Sequence, residues 1–114
     1  MTDVDRSVAC VRFGLMPDPP AQGSTVGISK GAIAGVWPLH GLRHRAERRS
    51  NGWYIWTGEL SQADDFFEPL HVEHLADRLP AVLPYLDLPP GSRFLLAPEH
   101  EDVWQDPSLL DPPR

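Results

Sequence analysis

The stretch Gly52-Trp53-Tyr54-Ile55-Trp56-Thr57-Gly58-Glu59 decides the fold prediction, because residues 53–57 are all aromatic or β-branched. Residues of these types are enriched in β-strands. Trp53, Ile55 and Thr57 alternate with Tyr54 and Trp56, so both faces of the strand carry large side chains. Such a strand is either central and covered or partly exposed as a binding surface. We expect a covered strand, with Trp53 or Ile55 in the core.

The residues before this strand predict further short elements. Apolar residues at alternate positions between 8 and 16 predict a strand, and residues 25–29 predict another. Residues 30–35 read as a turn or a single helical turn, since two glycines weaken anything longer. Residues 36–47 look extended, but Pro38 and Gly41 place them at a sheet edge or on a bulge. Residues 48–52 supply a turn, with Asn51-Gly52 as a strong hairpin signal.

After the aromatic strand, the pattern changes to a helical period. One apolar stripe is formed by Val72, Leu75, Ala76 and Leu79, which follow the i, i+3, i+4, i+7 spacing of an amphipathic helix. Pro69 suits the start of this helix, and Pro80 ends it. Residues 81–86 form a second apolar turn, residues 93–97 make a last strand, and an acidic, proline-rich tail follows.

These elements predict one α+β domain over residues 1–114, with a small antiparallel sheet and two short helices packed on it. The core spans about residues 8–106. The loop 17–24 and the tail 106–114 are predicted to be mobile. Thirteen prolines in 114 residues favour short elements and frequent turns.

Cysteine usage and hydropathy predict a cytoplasmic protein. Cys10 is the only cysteine, so an internal disulfide is impossible and a reducing compartment is the natural one. It lies in an apolar run, which predicts a buried and inert thiol. No apolar stretch is long enough to span a bilayer, and no segment resembles a targeting signal.

Charge is distributed unevenly along the chain. The net charge is −6, yet residues 1–58 carry a net +3 and residues 59–111 a net −10. An acidic half repels nucleic acid and attracts basic protein surfaces. One basic cluster is formed by Arg43, Arg45, Arg48 and Arg49. Together with the nearby aromatic residues it could bind nucleic acid, but the negative net charge of the protein argues against this function. These arginines are interpreted instead as a solvated hairpin end or as ion-pair partners of the acidic half.

The sequence contains little that would indicate an enzyme. His71 and His74 lie three residues apart, and His40 and His44 share one strand face, so a four-histidine metal site is conceivable. However, no His-Glu-x-x-His pattern or metal-spaced cysteine accompanies them. No nucleophile motif or phosphate-binding loop occurs either. We expect no catalytic residues, no metal and no cofactor.

The order of several short motifs resembles the immunity-protein thirty-three-like domain, found in small bacterial proteins linked to polymorphic toxin systems. In that group an aromatic strand precedes an acidic loop, a short helix, a Pro-Tyr-Leu segment and a Gly-x-x-Phe strand. The corresponding residues here are 52–59, 64–68, 70–79, Pro84-Tyr85-Leu86 and Gly91-Ser92-Arg93-Phe94. The likeness covers roughly residues 26 to 106.

This resemblance implies a protein that neutralises a toxin by binding it, rather than an enzyme. The acidic half suggests how: carboxylates would meet a basic toxin groove, and exposed aromatic residues would anchor the complex. The predicted binding residues are Glu59, Asp64, Asp65, Phe66, Phe67, Glu68, Glu73 and Asp77. One phenylalanine buried and the other exposed is the arrangement that this role requires. For these two rings the alternative is that both phenylalanines lie in the core and the carboxylates only cap the helix. The alternative is a small regulatory or assembly module that binds another cytosolic protein.

Overall fold

The computed structural model describes residues 7–61, 63 and 65–110 of the chain. Within these residues, short helices and strands follow one another in the order α1 (Val8–Phe13), β1 (Thr25–Ile28), α2 (Lys30–Ile33), β2 (Leu39–Arg43), β3 (Ser50–Thr57), β4 (Glu68–His71), a 3-10 helix (Val72–His74), α3 (Leu75–Arg78), a 3-10 helix (Pro80–Tyr85), β5 (Ser92–Ala97), β6 (His100–Gln105) and a 3-10 helix (Pro107–Leu110). None of the described helices is long and apolar enough to cross a membrane.

The strands form one six-stranded sheet in the order β4-β1-β3-β2-β5-β6. β1 and β3 are parallel, whereas every other neighbouring pair is antiparallel. The α+β architecture therefore matches the prediction, but the predicted antiparallel sheet is wrong at the β1–β3 pair. Parallel strands need a crossover connection, and here α2 and β2 lie between them in the chain.

The two sides of the sheet have different coverings. One side packs against the three α-helices and the 3-10 helix Pro80–Tyr85, and it carries the main core. The strand residues buried there include Val26, Ile28, Leu39, Trp53, Ile55 and Phe94. Because neighbouring residues of a strand point to opposite sides, the other side carries His40, Leu42, Tyr54, Trp56, Arg93 and Trp104. We call this second side the open face.

β3 lies near the centre of the sheet, as its sequence predicts. Trp53 and Ile55 are fully buried, which confirms their expected place in the core, and Trp56 is 4% exposed. The Trp53 indole N–H donates a 3.0 Å hydrogen bond to the carbonyl of Leu86. Satisfying this polar group allows such a large ring to be buried completely.

The edge or bulge predicted for β2 is wrong, because β2 pairs with β3 on one side and β5 on the other. Pro38 precedes the strand, so its missing N–H removes no ladder hydrogen bond. Gly41 makes room for a neighbour: a Cβ at this position would lie 2.3 Å from the ring of Phe94. Its lack of a side chain thus serves packing against β5 rather than a bulge.

The β2–β3 turn falls earlier than the Asn-Gly signal predicts. Glu47 and Ser50 exchange backbone hydrogen bonds of 3.0 Å, which places Arg48 and Arg49 at the turn. Arg48 takes the left-handed conformation with φ 55. Gly52 belongs to β3 with φ 93, and a Cβ there would lie 1.9 Å from the carbonyl oxygen of His44. Only glycine meets both requirements without strain.

The strand predicted near the N-terminus is wrong, since residues 8–13 form α1. Adjacent residues Ala9 and Cys10 are both buried, a pattern that alternation cannot produce but a helix can. Gly14 ends α1 in the left-handed conformation, and Leu15 N–H donates to the Cys10 carbonyl. A glycine directly after an apolar segment is a common helix C-terminus, so Gly14 was the residue in the sequence that indicated a helix here.

The predicted helix after the acidic loop begins later than expected. Pro69 lies inside β4, an edge strand, where a residue without an N–H is tolerated. Helical residues begin at Val72 and end before Pro80, as predicted, and the stripe residues Val72, Leu75 and Leu79 are buried. Ala76 is exposed, because the short turn presents a narrower apolar stripe than a full helix.

β6 was not predicted, because its charged sequence resembles an acidic tail. It is the second edge of the sheet, and charged edge strands are protected against pairing with other chains. The 17–24 loop has hydrogen bonds at Asp18 and Ser24, and Leu109 of the tail is buried. Residues 111–114 lie outside the described residues, and mobility of both segments stays a prediction.

Arg43 is buried at the end of β2, with 3% of its surface exposed. Its guanidinium donates to the carbonyls of Asn51 (3.0 Å), Asp18 (2.6 Å) and Leu88 (2.8 Å). It also lies 5.7 Å from the centre of the Trp53 ring. Burial lowers the pKa of Arg43, yet the group stays charged. Arg43 is therefore a structural residue and not part of a basic surface cluster.

We expect Arg43→Met to lower the free energy of unfolding by roughly 2–4 kcal/mol, because several buried carbonyls would lose their donor. The exposed Arg49 provides a matched control, and Arg49→Met should change stability by less than about 0.5 kcal/mol. Urea denaturation of both variants measures the difference. Equal effects at the two positions would contradict the structural role of Arg43.

Trp53→Ala should cost roughly 3–5 kcal/mol of stability, because it removes a fully buried ring and leaves a cavity. Trp104 is 40% exposed on the open face, so Trp104→Ala should cost about 1 kcal/mol or less. Thermal and urea denaturation would measure both. Similar losses of stability for the two variants would contradict the complete burial of Trp53 in the core.

Candidate functional site

The described carboxylates singled out from the sequence lie on β4, which is one edge of the sheet, and on the chain segments directly before and after it. Glu68 is the first residue of β4, and Glu73 and Asp77 belong to the helical turns that follow it. Glu59 and Asp65 lie in the loop from β3 to β4. All five are exposed. We call these five residues the acidic edge.

The acidic edge extends past both ends of β1. Glu68 lies opposite Ile28, the last residue of β1. Beyond the other end, the Glu73 carboxylate accepts a 2.6 Å hydrogen bond from the backbone N–H of Gly23. Ile28 and Gly23 are five residue steps apart, and the four residues of β1 alone span roughly 10 Å. A partner contacting the whole acidic edge needs a surface of comparable length.

Four carboxylates of the acidic edge form no ion pair within the described part of the chain. The ion pairs found there lie elsewhere and join Arg12 to Glu101 and Arg93 to Asp106. The four are Glu59, Asp65, Glu68 and Asp77. Asp64, predicted for the same surface, lies outside the described residues. Unpaired carboxylates clustered at one edge produce a local negative potential that attracts cationic groups.

Phe66 and Phe67 join the acidic loop to the open face. The Phe67 ring lies 5.1 Å from Tyr54, 6.2 Å from Trp56 and 4.8 Å from Phe66, centre to centre. Both phenylalanines are half-buried, so the predicted arrangement of one buried and one exposed ring is not found. Side chains of adjacent residues point in opposite directions only in extended chain. Here the chain turns, because the Phe66 N–H donates a hydrogen bond back to the Ala63 carbonyl.

The open face contributes aromatic residues that were not included in the predicted site. His40 stacks on Trp56 at 5.3 Å, and His44 meets the edge of Tyr54 at 5.7 Å. Burial, and then the nearby charge of Arg93, lower the pKa of His40, so its ring is neutral at pH 7. In the sequence, the large side chains at successive positions of β3 indicated that the open face would also carry aromatic residues and be partly covered.

A small cleft separates the acidic loop from the open face. Its volume is about 300 Å³, and its apolar lining includes Leu42, Tyr54, Trp56, Leu60 and Phe67. Leu60 is 47% exposed at its rim. The loop that carries Glu59 and Asp65 therefore also borders partly exposed apolar surface, and protein-binding sites combine such polar and apolar groups.

The histidines do not converge on one point. His40 and His44 are on or next to β2, whereas His71 is on β4, three strand spacings or roughly 14 Å away. His71 and His74 lie close together, with ring centres 5.9 Å apart. Among the residues that the structure describes, no three His, Cys, Asp or Glu side chains are grouped as a metal site would need.

Tyr85 has a strongly shifted pKa, but its contacts give it a structural role. Burial, together with its hydrogen bond to the Glu101 carboxylate, raises the pKa of Tyr85 to about 12. The phenol therefore stays protonated at neutral pH and donates to Glu101, which also pairs with Arg12. This contact links β6 to the helical layer. Cys10 is buried, as the sequence predicts.

Comparison with protein families gives one match. The model of the Imm33-like domain matches residues 5–106, which is most of the chain and begins earlier than the sequence resemblance indicated. Curated proteins and solved structures give no significant match.

Phe67→Ala should lower the free energy of unfolding by roughly 2 kcal/mol, and Phe66→Ala by about 1 kcal/mol or less. The reason is that Phe67 contacts three aromatic rings, whereas Phe66 contacts Phe67 alone among the aromatic pairs described. Urea denaturation of the two variants measures the difference. A larger loss for Phe66→Ala would contradict the assignment of Phe67 as the residue that holds the loop.

Proposed function

This chain belongs to the Imm33-like domain family, and we propose that it neutralises a toxin by stoichiometric, non-enzymatic binding in the cytoplasm. The surface that binds is the acidic edge together with Asp64, Phe66 and Phe67. The partner is a toxin domain with a basic surface, and binding occludes that surface. The observation that carries this proposal is a set of four exposed carboxylates, Glu59, Asp65, Glu68 and Asp77, which have no ion-pair partner among the described residues and accompany the half-buried rings of Phe66 and Phe67.

The carboxylates and the aromatic rings have separate tasks in this mechanism. The acidic edge steers a cationic partner during the encounter, which raises the association rate more than the final affinity. Phe66 and the rim residue Leu60 then lose their remaining contact with water and supply anchoring energy. Partial burial of Phe66 against Phe67 keeps the anchor in place before the partner arrives.

Family membership favours this function over a general regulatory or assembly module. An immunity protein and a regulatory module would use a protein-binding surface of the same kind, so the surface alone does not distinguish the two functions. The identity of the partner distinguishes them. Co-expression with a toxin domain encoded beside the gene should restore growth of cells that the toxin otherwise kills, whereas a regulatory module would leave toxicity unchanged.

We expect Asp65→Lys with Glu68→Lys to slow association with that toxin domain by roughly tenfold or more at low salt, because the steering potential is reversed. The same substitutions should flatten the salt dependence of the rate. Both residues are exposed, so stability should change by less than about 0.5 kcal/mol. Stopped-flow or surface-based kinetics at several salt concentrations would measure the rates.

Glu99→Lys with Asp102→Lys makes the matched control. It changes the net charge equally but alters the region of β6, which forms the opposite edge of the sheet from β4. This control should retain most of the association rate. An unchanged rate for the Asp65, Glu68 variant would exclude the acidic edge as the docking surface. Equal slowing by both variants would mean that only overall charge matters.

A further inference from the structure

A second cleft lies at the tip of the β2–β3 hairpin. It has a volume of about 710 Å³ and lies between the hairpin and the 3-10 helix Pro107–Leu110. The hairpin contributes His44, Arg45 and Arg48, the open face contributes Tyr54, and the 3-10 helix contributes Leu109. This cleft is separate from the acidic edge and uses none of its residues.

The rim of this hairpin cleft is cationic. Arg45 and Arg48 line it and are exposed, and Arg49 lies next to them at the turn. Within the described part of the chain, none of these arginines has an ion-pair partner. They were interpreted from the sequence as possible partners of the acidic half, and that pairing is not found among the described residues. Among the residues that the structure describes, Glu47 is the one acidic residue in the cleft lining.

Arg45 is held in place by the chain itself. Its Nε donates a 3.1 Å hydrogen bond to the carbonyl of Leu110, and His44 Nδ1 lies 3.1 Å from the carbonyl of Leu109. A guanidinium fixed through Nε still has its terminal N–H groups to offer. Such groups match the two oxygens of a carboxylate.

The floor of the hairpin cleft is apolar. Leu109 packs with Leu42 and Trp56 in a cluster on the open face, and Tyr54 packs against the same cluster. Leu110 borders the cleft as well. The site thus combines an apolar surface with a rim of arginine side chains, and the ligand that complements it carries an apolar group next to an anionic one.

We propose that the hairpin cleft binds an extended protein segment in which Asp or Glu adjoins Leu or Phe. The carboxylate pairs with Arg45 and Arg48, and the apolar side chain lies on Tyr54 and Leu109. Charge complementarity selects this occupant. A nucleic-acid strand would bring a long row of phosphates toward a protein of net charge −6, whereas a short peptide brings only a few carboxylates. Overall repulsion therefore disfavours the nucleic acid more strongly than the peptide.

Arg48 provides a variant that separates binding from folding. Its backbone is left-handed at φ 55, a conformation that glycine adopts with less strain than arginine. Arg48→Gly therefore removes the cationic side chain without destabilising the turn. Its melting temperature should equal or exceed that of the unsubstituted protein, so any loss of binding would reflect the missing charge.

Fluorescence anisotropy with a labelled heptapeptide, Ser-Glu-Leu-Asp-Phe-Glu-Ser, tests the proposal on the full chain. We expect saturable one-to-one binding that weakens with salt. A peptide with Gln and Asn in place of Glu and Asp should bind roughly tenfold more weakly, as should the protein with Arg45→Gln and Arg48→Gly. Arg78→Gln removes an exposed arginine of α3 that does not line the cleft, and it should leave the affinity unchanged.

Absence of saturable peptide binding up to about 1 mM would overturn the proposal. Equal binding of the uncharged peptide, or full binding by the Arg45, Arg48 variant, would overturn it as well. If a ten-residue oligothymidylate bound through Arg45 and Arg48 while the peptide did not, the cleft would be a nucleic-acid site instead. The Asp65→Lys, Glu68→Lys variant should retain peptide binding, so failure here is distinguishable from failure of the proposed function.

Discussion

The buried guanidinium of Arg43 joins three segments that are distant in sequence. Its donors bind the carbonyls of Asp18 in the long loop, Asn51 in β3 and Leu88 before β5. A guanidinium cannot shed its charge, so each of these carbonyls must stay in place to offset the cost of burial. The positions of the loop, the hairpin and the helical layer are therefore mutually dependent. Trp53 strengthens this dependence, because its N–H binds the Leu86 carbonyl nearby.

This arrangement separates opposite charges along the sheet. β3 runs from Ser50, next to the arginine-bearing turn, to Thr57, which precedes the loop containing Glu59 and Asp65. Seven residue steps of strand correspond to roughly 23 Å, well beyond the Debye length of about 8 Å at physiological salt. The two charged regions are screened from each other and can attract different groups at once. The aromatic residues of the open face lie between them.

Local signals in the sequence predicted the elements whose cause is local. The alternation in residues 53–57, the glycines of residues 30–35 and the stop at Pro80 each act within a few residues, and the corresponding elements were found. The parallel pairing of β1 with β3 depends on a crossover and on packing, which no short pattern encodes. β6 escaped prediction for a related reason. An edge strand needs little apolar alternation, and β6 is held by its pairing with β5, by the core residue Val103 and by polar contacts of Glu101 with Tyr85 and Arg12.

The candidate site shows the same division. Charge can be read directly from sequence, so the carboxylates can be proposed as binding residues without a structure. The orientation of Phe66 and Phe67 depends on Tyr54 and Trp56, which come from another part of the sheet. That packing has a consequence for binding. A flexible exposed phenylalanine loses conformational freedom when a partner immobilises it. Phe66 is already held edge-to-face by Phe67, so most of that ordering is complete in the free protein. In the proposed complex, more of the contact energy of Phe66 would therefore remain for association.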